Sequence, residues 1–243
     1  MRAVLTEPRL LRDSIAAISE LVSEAKFKLS GDGIELLAMD PAAAAMVWFR
    51  LLPAAFLEYT VERPVELGLN LMSLKQILKR AKPSDSVLLE LEGDRLKIEL
   101  RGSSTRTFSL PLIDIEAKEL KMPELAFSTT IRTSAAALNE AVEDADIVAD
   151  VVIFQAEKGK LMLLAEGDGS HAKVELAEDT SVELQTEHAA AKYSLDYLKK
   201  MIISTKLCDE VLIRFAQNYP MRLDYRAVDK FALSFILAPR LED

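Results

Sequence analysis

The chain has 243 residues, half of them hydrophobic and 28% charged, and a formal charge of −9. That length suggests two domains of ordinary size with sizeable cores. No run of 18 apolar residues occurs, so no membrane-crossing helix is expected, and the single Cys208 excludes an internal disulfide framework and fits a reducing interior.

Met1 to Glu7 meets an acid and Pro8 too soon for a signal peptide. Asparagine and glutamine total seven: Asn70, Asn139, Asn218, Gln76, Gln155, Gln185 and Gln217. Scarce thermolabile amides beside many Glu, Lys and Arg suggest a hot-living source. A freely docking DNA-binding domain is usually basic. The acidity therefore counts against simple DNA binding, unless positive charge is confined to one face.

In chain order, a short strand opens the first half. A helix follows from Pro8 to Val22, with Leu10, Leu11, Ile15, Ile18, Leu21 and Val22 at helical spacing. Alternating patterns predict strands at 25–29, 33–38, 46–51 and 65–69. Leu71 to Lys82 reads as a helix stopped by Pro83 and Ser84. Strands at 87–91, 96–100 and 105–110 close this half. Pro111 to Glu124 has little periodicity and reads as a linker crossing a surface. The second half repeats the grammar. A strand at 126–131 precedes a helix from Ser134 to Asp146, and strands follow at 151–156, 161–165, 171–176 and 191–194. A helix from Leu195 to Lys206 and strands at 211–215, 221–225 and 231–237 finish the chain. Each half is thus expected to place two helices on one face of an antiparallel sheet, an α+β arrangement. The domains are expected at 1–110 and 125–243, with the linker at 111–124.

The two halves also resemble each other residue by residue. With a shift of about 124 positions, Leu71 falls on Leu195, Leu74 on Leu198, Leu78 on Ile202, Lys82 on Lys206, Asp85 on Asp209 and Val87 on Val211. Earlier in the chain, Gly33-Ile34-Glu35-Leu36-Leu37-Ala38 resembles Lys160-Leu161-Met162-Leu163-Leu164-Ala165 after a small slip, and two such matches in the same order point to a duplicated domain.

Catalysis needs a positioned acid, base, nucleophile or metal. The two histidines, His171 and His188, have polar neighbours, and Cys208 lies in an expected turn with no histidine near it in sequence. No phosphate loop, dinucleotide fingerprint, Cys-x-x-Cys or zinc-protease motif occurs. Gly31-Asp32-Gly33 and Gly167-Asp168-Gly169 are too short for calcium loops and read as hairpin turns. An enzyme is disfavoured, and no cofactor or metal is expected.

Charge is uneven among the predicted helices. Leu71 to Lys82 carries Lys75, Lys79, Arg80 and Lys82 for a net +4. Leu195 to Lys206 carries Lys199, Lys200 and Lys206 against Asp196 for +2. Pro8 to Val22 balances Arg9 and Arg12 against Asp13 and Glu20. Ser134 to Asp146 carries Glu140, Glu143, Asp144 and Asp146 for −4. A positive helical surface on an acidic body would attract phosphates locally, although surface helices are often simply lysine-rich.

Several stretches together resemble the PCNA family of DNA sliding clamps, particularly its archaeal members, over essentially the whole length. They are Gly33-Ile34-Glu35-Leu36-Leu37-Ala38-Met39-Asp40, Leu67-Gly68-Leu69-Asn70-Leu71 running into Ile77-Leu78-Lys79, and Met122-Pro123-Glu124. Tyr219-Pro220-Met221-Arg222-Leu223 and Leu237-Ala238-Pro239-Arg240-Leu241-Glu242-Asp243 complete the set. The resemblance implies two similar domains with sheets outside and helices inside, joined as a pseudo-sixfold ring of three subunits around DNA. A closed ring need not bind tightly, which would reconcile DNA with acidity.

By that resemblance, Arg9, Arg12, Lys75, Lys79, Arg80, Lys82, Lys199, Lys200 and Lys206 would line the hole. Thr105, Thr107, Phe108 and Leu110 on one edge strand, and His171, Lys173, Val174 and Leu176 on another, would form the subunit interface. Client peptides carrying glutamine, an aliphatic residue and two aromatics would dock on Met39, Ala44, Met46, Leu120, Met122, Pro123, Phe127, Pro220, Ile236, Ala238 and Pro239. Met39 and Met46 could equally be core. Glu140 and Glu143 depart from the family pattern, because basic residues often stand there. The implied partners are duplex DNA read without regard to sequence, other clamp subunits, a clamp loader, and polymerase, flap nuclease and ligase. The implied location is the cytoplasm of a cell without a nucleus, associated with the nucleoid. Two alternatives stay open: a specialised subunit of a heterotrimeric or checkpoint clamp, and a tandem-domain scaffold independent of DNA.

Overall fold

A computed structural model of the chain describes residues 1–116, 120–176 and 178–241. Ala117, Lys118 and Glu119 of the expected linker lie outside the described residues, as do Ala177, Glu242 and Asp243. The chain divides into two compact units. Unit one comprises Met1–Pro41, Val47–Met122 and Arg226–Leu233. Unit two comprises Ala42–Met46, Pro123–Tyr225 and Ser234–Asp243. Sequence placed the division near the linker. Each half of the chain gives one short segment to the other unit, Ala42–Met46 and Arg226–Leu233.

The first half of the chain runs β1 (Arg2–Leu5), α1 (Pro8–Ile18), β2 (Glu24–Ser30), β3 (Gly33–Met39), β4 (Ala45–Leu51), β5 (Glu58–Thr60) and β6 (Val65–Asn70). It continues with α2 (Leu71–Leu78), β7 (Ser86–Glu92), β8 (Arg95–Arg101) and β9 (Thr105–Pro111). In unit one, β5-β1-β7-β8-β9 form an antiparallel sheet, and β2 pairs with both β3 and β6. The α1 and α2 helices pack together, with Leu10, Leu11, Ile15 and Ile18 of one and Leu71, Leu74 and Leu78 of the other buried. Each such aliphatic side chain contributes about 1.5–3 kcal/mol on full burial.

The second half runs β10 (Thr129–Ser134), α3 (Ala135–Asp146), β11 (Val151–Glu157), β12 (Lys160–Gly167), β13 (Ser170–Leu176), β14 (Ser181–Leu184) and β15 (His188–Ser194). After these come α4 (Leu195–Ile202), β16 (Glu210–Phe215), β17 (Met221–Ala227) and β18 (Phe231–Leu237). In unit two, β13-β12-β11-β15 form one antiparallel sheet, while β10 pairs with β14 and β16, and β16 with β17. The same grammar appears twice: β1 between β5 and β7 corresponds to β10 between β14 and β16. Leu195, Leu198 and Ile202 are buried like their counterparts in α2, and α3 packs on α4.

The helices are shorter than their apolar patterns suggest. In α1 the chain leaves α-geometry after Ile18, where Ser19 Oγ donates to Ala16 O at 2.8 Å and Leu21 N–H donates to Ile18 O. Leu21 and Val22 stay buried in the turn, so their spacing looked helical. The α2 helix starts at its Asn70 cap, whose side chain accepts from Ser73 N–H at 2.9 Å, and ends at Leu78. Lys79, Arg80 and Lys82 therefore follow the helix in a turn rather than sitting on it. Ile203–Lys206, expected as helix, is a 3-10 turn that extends α4. Two short edge strands, β5 and β14, were not anticipated.

The first part of the expected linker is held in unit one. Leu112 N–H donates to Asp94 O, and Ile113 N–H donates to Gly68 O, both at 2.9 Å. Gly68 lies so close beneath that a Cβ there would stand 2.1 Å from Ile113 O. Only glycine permits this crossing of β6.

Candidate functional site

The expected hole-lining cations differ in exposure. Arg9, Lys79, Arg80, Lys82 and Lys206 are exposed. Arg12 forms a two-point pair with its neighbour Asp13, at 2.7 and 3.2 Å, and that hydrogen bonding raises the guanidinium pKa. Lys75 of α2 donates to Glu20, in the turn after α1, at 2.6 Å. Lys199 donates to Asp146 across the α3–α4 contact at 2.9 Å, which raises the ammonium pKa. Lys200 lies 5.2 Å from the Tyr197 ring centroid. Counting lysines on a helix therefore overstated the positive field, because Glu20 comes from the turn after α1 and Asp146 from the end of α3. On α3, Glu140, Glu143 and Asp144 are exposed.

The two expected subunit edges are terminal strands. The β9 strand ends the five-stranded sheet of unit one, and β13 ends the four-stranded sheet of unit two. Side chains alternate faces along a strand. On β9, Thr105, Thr107 and Ser109 are exposed, whereas Arg106, Phe108 and Leu110 are half-buried or buried. On β13, His171, Lys173 and Glu175 are exposed, whereas Ala172, Val174 and Leu176 are half-buried. Each edge thus carries one polar row and one partly covered row that is mainly apolar. The expected interface residues mix both rows. Ala172, which the expectation omitted, belongs to the apolar one, and strict alternation from Val174 would have found it.

The expected client-pocket positions fall in both units. In unit one, Met39 is 37% exposed, and Leu120 and Met122 are half-buried. In unit two, Ala238 N–H donates to Ala44 O at 2.9 Å, which brings those two segments together. Phe127 meets the edge of Tyr219, with ring centroids 6.2 Å apart, and Arg214 stands 5.6 Å from the Phe127 ring centroid. Tyr219 O in turn accepts from Tyr193 Oη–H at 2.7 Å. Pro220 and Pro239 are half-buried, and Pro123 and Ala238 are exposed. Met46 and Ile236 are each only 8% exposed, so both side chains belong chiefly to the core. Tyr219 and Arg214, which meet Phe127 in unit two, were not among the expected positions. The dipeptide Tyr219-Pro220 was visible in sequence, but only packing shows which ring Tyr219 supports.

Residues 1–120 match the model of the proliferating cell nuclear antigen N-terminal domain, and residues 121–240 match that of the C-terminal domain. The chain belongs to the PCNA family. Sliding-clamp function goes with that membership. A DNA polymerase sliding clamp of Nanoarchaeum equitans is 37% identical, covering 99% of each chain. That of Thermococcus fumicolans is 38% identical, over 95% of this chain and 94% of its own. Among solved structures, PCNA from Thermococcus kodakaraensis superposes with a TM-score of 0.93 at 30% identity, covering 98% of this chain and 99% of that one. A chain from a PCNA2–PCNA3 complex of Sulfolobus tokodaii gives 0.91 at 25% identity, with both chains fully covered. These archaeal relatives fit the amide-poor, charge-rich composition.

Proposed function

We propose that the protein is a non-catalytic DNA polymerase sliding clamp subunit that closes with two further copies into a ring around duplex DNA. The observation that supports the closed ring is that β9 and β13 each end a sheet. Unpaired edges with a half-covered apolar row favour pairing with another chain. Among the sheet ends, β9 and β13 are two different edges, so copies can join head to tail through them, a geometry that closes into a ring when the rotation allows. The basic turn after α2, with Arg9 and Lys206, supplies the phosphate contacts. They are few and exposed, which suits sliding better than tight binding. Light scattering on the purified chain tests the ring. Three chains per particle at micromolar concentration is the expected mass, and a lone monomer would overturn the homotrimer.

A second assembly, a heterotrimer with different subunits, is favoured by the acidic α3 face. Glu140, Glu143 and Asp144 would repel phosphates, and basic helices on other subunits would compensate.

Clients and a loader are read as docking through short peptides on the apolar positions around Met122, in a cell without a nucleus. Apolar side chains left part-exposed in a linker often mark such a surface. Met122→Ala is expected to weaken a glutamine-plus-diaromatic peptide by on the order of 2 kcal/mol, about thirtyfold, with the oligomer intact. A fluorescence titration checks it, and equal affinities for both proteins would place the pocket elsewhere.

A further inference from the structure

The basic turn after α2 is fastened to the edge strand by one ionic cluster. Arg106, the second residue of β9, sends one guanidinium nitrogen to the backbone oxygen of Arg80 at 2.9 Å. Another nitrogen pairs with the Asp85 carboxylate. Asp85 is 2% exposed, and it also accepts from Lys82 N–H at 3.0 Å. Its own N–H donates back to Lys82 O at 3.0 Å. Gly102 presses on the other side, where a Cβ would stand 2.0 Å from Asp85 Oδ1. The carboxylate is thus fenced by glycine and loaded with a guanidinium and a backbone amide. A buried carboxylate is tolerated only when its lone pairs are filled in this way. Asp209, its counterpart in the duplicated half, is exposed, so the device belongs to unit one.

We infer that Asp85 and Arg106 are positioning residues, a latch that holds Lys79, Arg80 and Lys82 at fixed places for phosphate contact. The inference rests on the proposal that this turn faces DNA. The latch acts on the backbone of the turn, at Arg80 O and Lys82 N–H, while the three basic side chains stay exposed. Arg106 is suited to the task because a guanidinium is a rigid fork that serves two acceptors, which an ammonium cannot reproduce. The arrangement also ties the strand proposed for subunit pairing to the turn proposed for DNA, so ordering the first orders the second.

The sign of one substitution separates this latch from plain electrostatics. Asp85→Asn removes a negative charge beside three cations. Charge alone would then strengthen DNA retention. The latch predicts the reverse, because an amide no longer anchors Arg106. Amide exchange in the full oligomer, read over residues 80–85, is expected to quicken roughly tenfold, the loss of a charge-assisted hydrogen bond. The salt dependence of DNA retention is expected to flatten by about 0.9 in slope for each phosphate no longer neutralised. Arg106→Lys, which keeps the charge, should show the same two changes. Unchanged exchange, or DNA retention equal to or above wild type, in both folded variants would overturn the inference. The doubly reversed K79E/R80E protein is the control: its normal retention would instead overturn the placement of DNA at this turn, whatever the exchange data show.

Discussion

Asp224 shows what a single buried charge does in this chain. Its side chain is wholly buried, and it pairs with Arg214 and Arg222 and accepts from Ser234. Burial pushes its carboxyl upward, but the Ser234 hydrogen bond and the two guanidinium groups win and hold it below the ordinary 3.8. A depressed carboxyl contributes stability above its unfolded value, and that contribution fades as pH falls through the folded one. Asp224→Asn would leave two guanidinium groups facing a neutral amide. A loss of about 3–5 kcal/mol is expected at neutral pH, as for other broken buried pairs. Urea unfolding at pH 7 and again well below 3.8 checks it. The gap between wild type and variant should narrow in acid, and a pH-independent gap would contradict the linkage. None of this was legible beforehand. Arg222 and Asp224 are two apart in sequence, but Arg214 and Ser234 arrive from other strands. The same limit applies to Lys75 with Glu20 and Lys199 with Asp146. Side-chain charge was readable, and its partner was not.

At the scale of elements, the buried stripes of all four helices were legible, because Leu71, Leu74 and Leu78 repeat in Leu195, Leu198 and Ile202. Helix ends were not. Pro83 marks a boundary that sequence can see, since the residue before a proline avoids helical geometry. The actual end at Leu78 comes earlier, and the turn beyond it is held by the nearby Asp85 together with Arg106, which arrives from β9 far along the chain. The short edge strands β5 and β14 escaped because three- and four-residue strands carry too little alternation to stand out. The acidity of α3 was plain, and it gives a prediction of definite sign. Reversing Glu140 and Glu143 to Lys removes repulsion from an exposed face without touching the buried stripe of Leu138, Ala141, Val142 and Ala145. DNA retention should rise, and its salt slope should steepen by about 0.9 for each further phosphate neutralised. Measurement of retention across a salt series decides it. An unchanged slope would mean that α3 does not face DNA.

At the scale of the whole molecule, the duplication was legible as a repeat, and the family resemblance supplied the ring. What sequence could not supply was which strands end each sheet. Strand order depends on pairing between segments far apart, and β9 and β13 become edges only once β8 and β12 are placed beside them. The proposed assembly makes Phe108 a half-exposed side chain that a neighbour must cover. Phe108→Lys would put a charge into that covered row. The variant is expected to remain folded, with an unchanged far-ultraviolet spectrum, and to sediment as single chains. A variant that still assembles like wild type would move the interface away from β9.

The central claim is topological: the protein stays on DNA because it encloses it. The most direct measurement loads the protein, with a clamp loader supplied, onto a closed circular duplex and then linearises the circle at one site. Retention on the closed circle with rapid loss through the free ends after cutting is the predicted result. Equal retention on circular and linear DNA would show attachment by contact alone and would contradict the account.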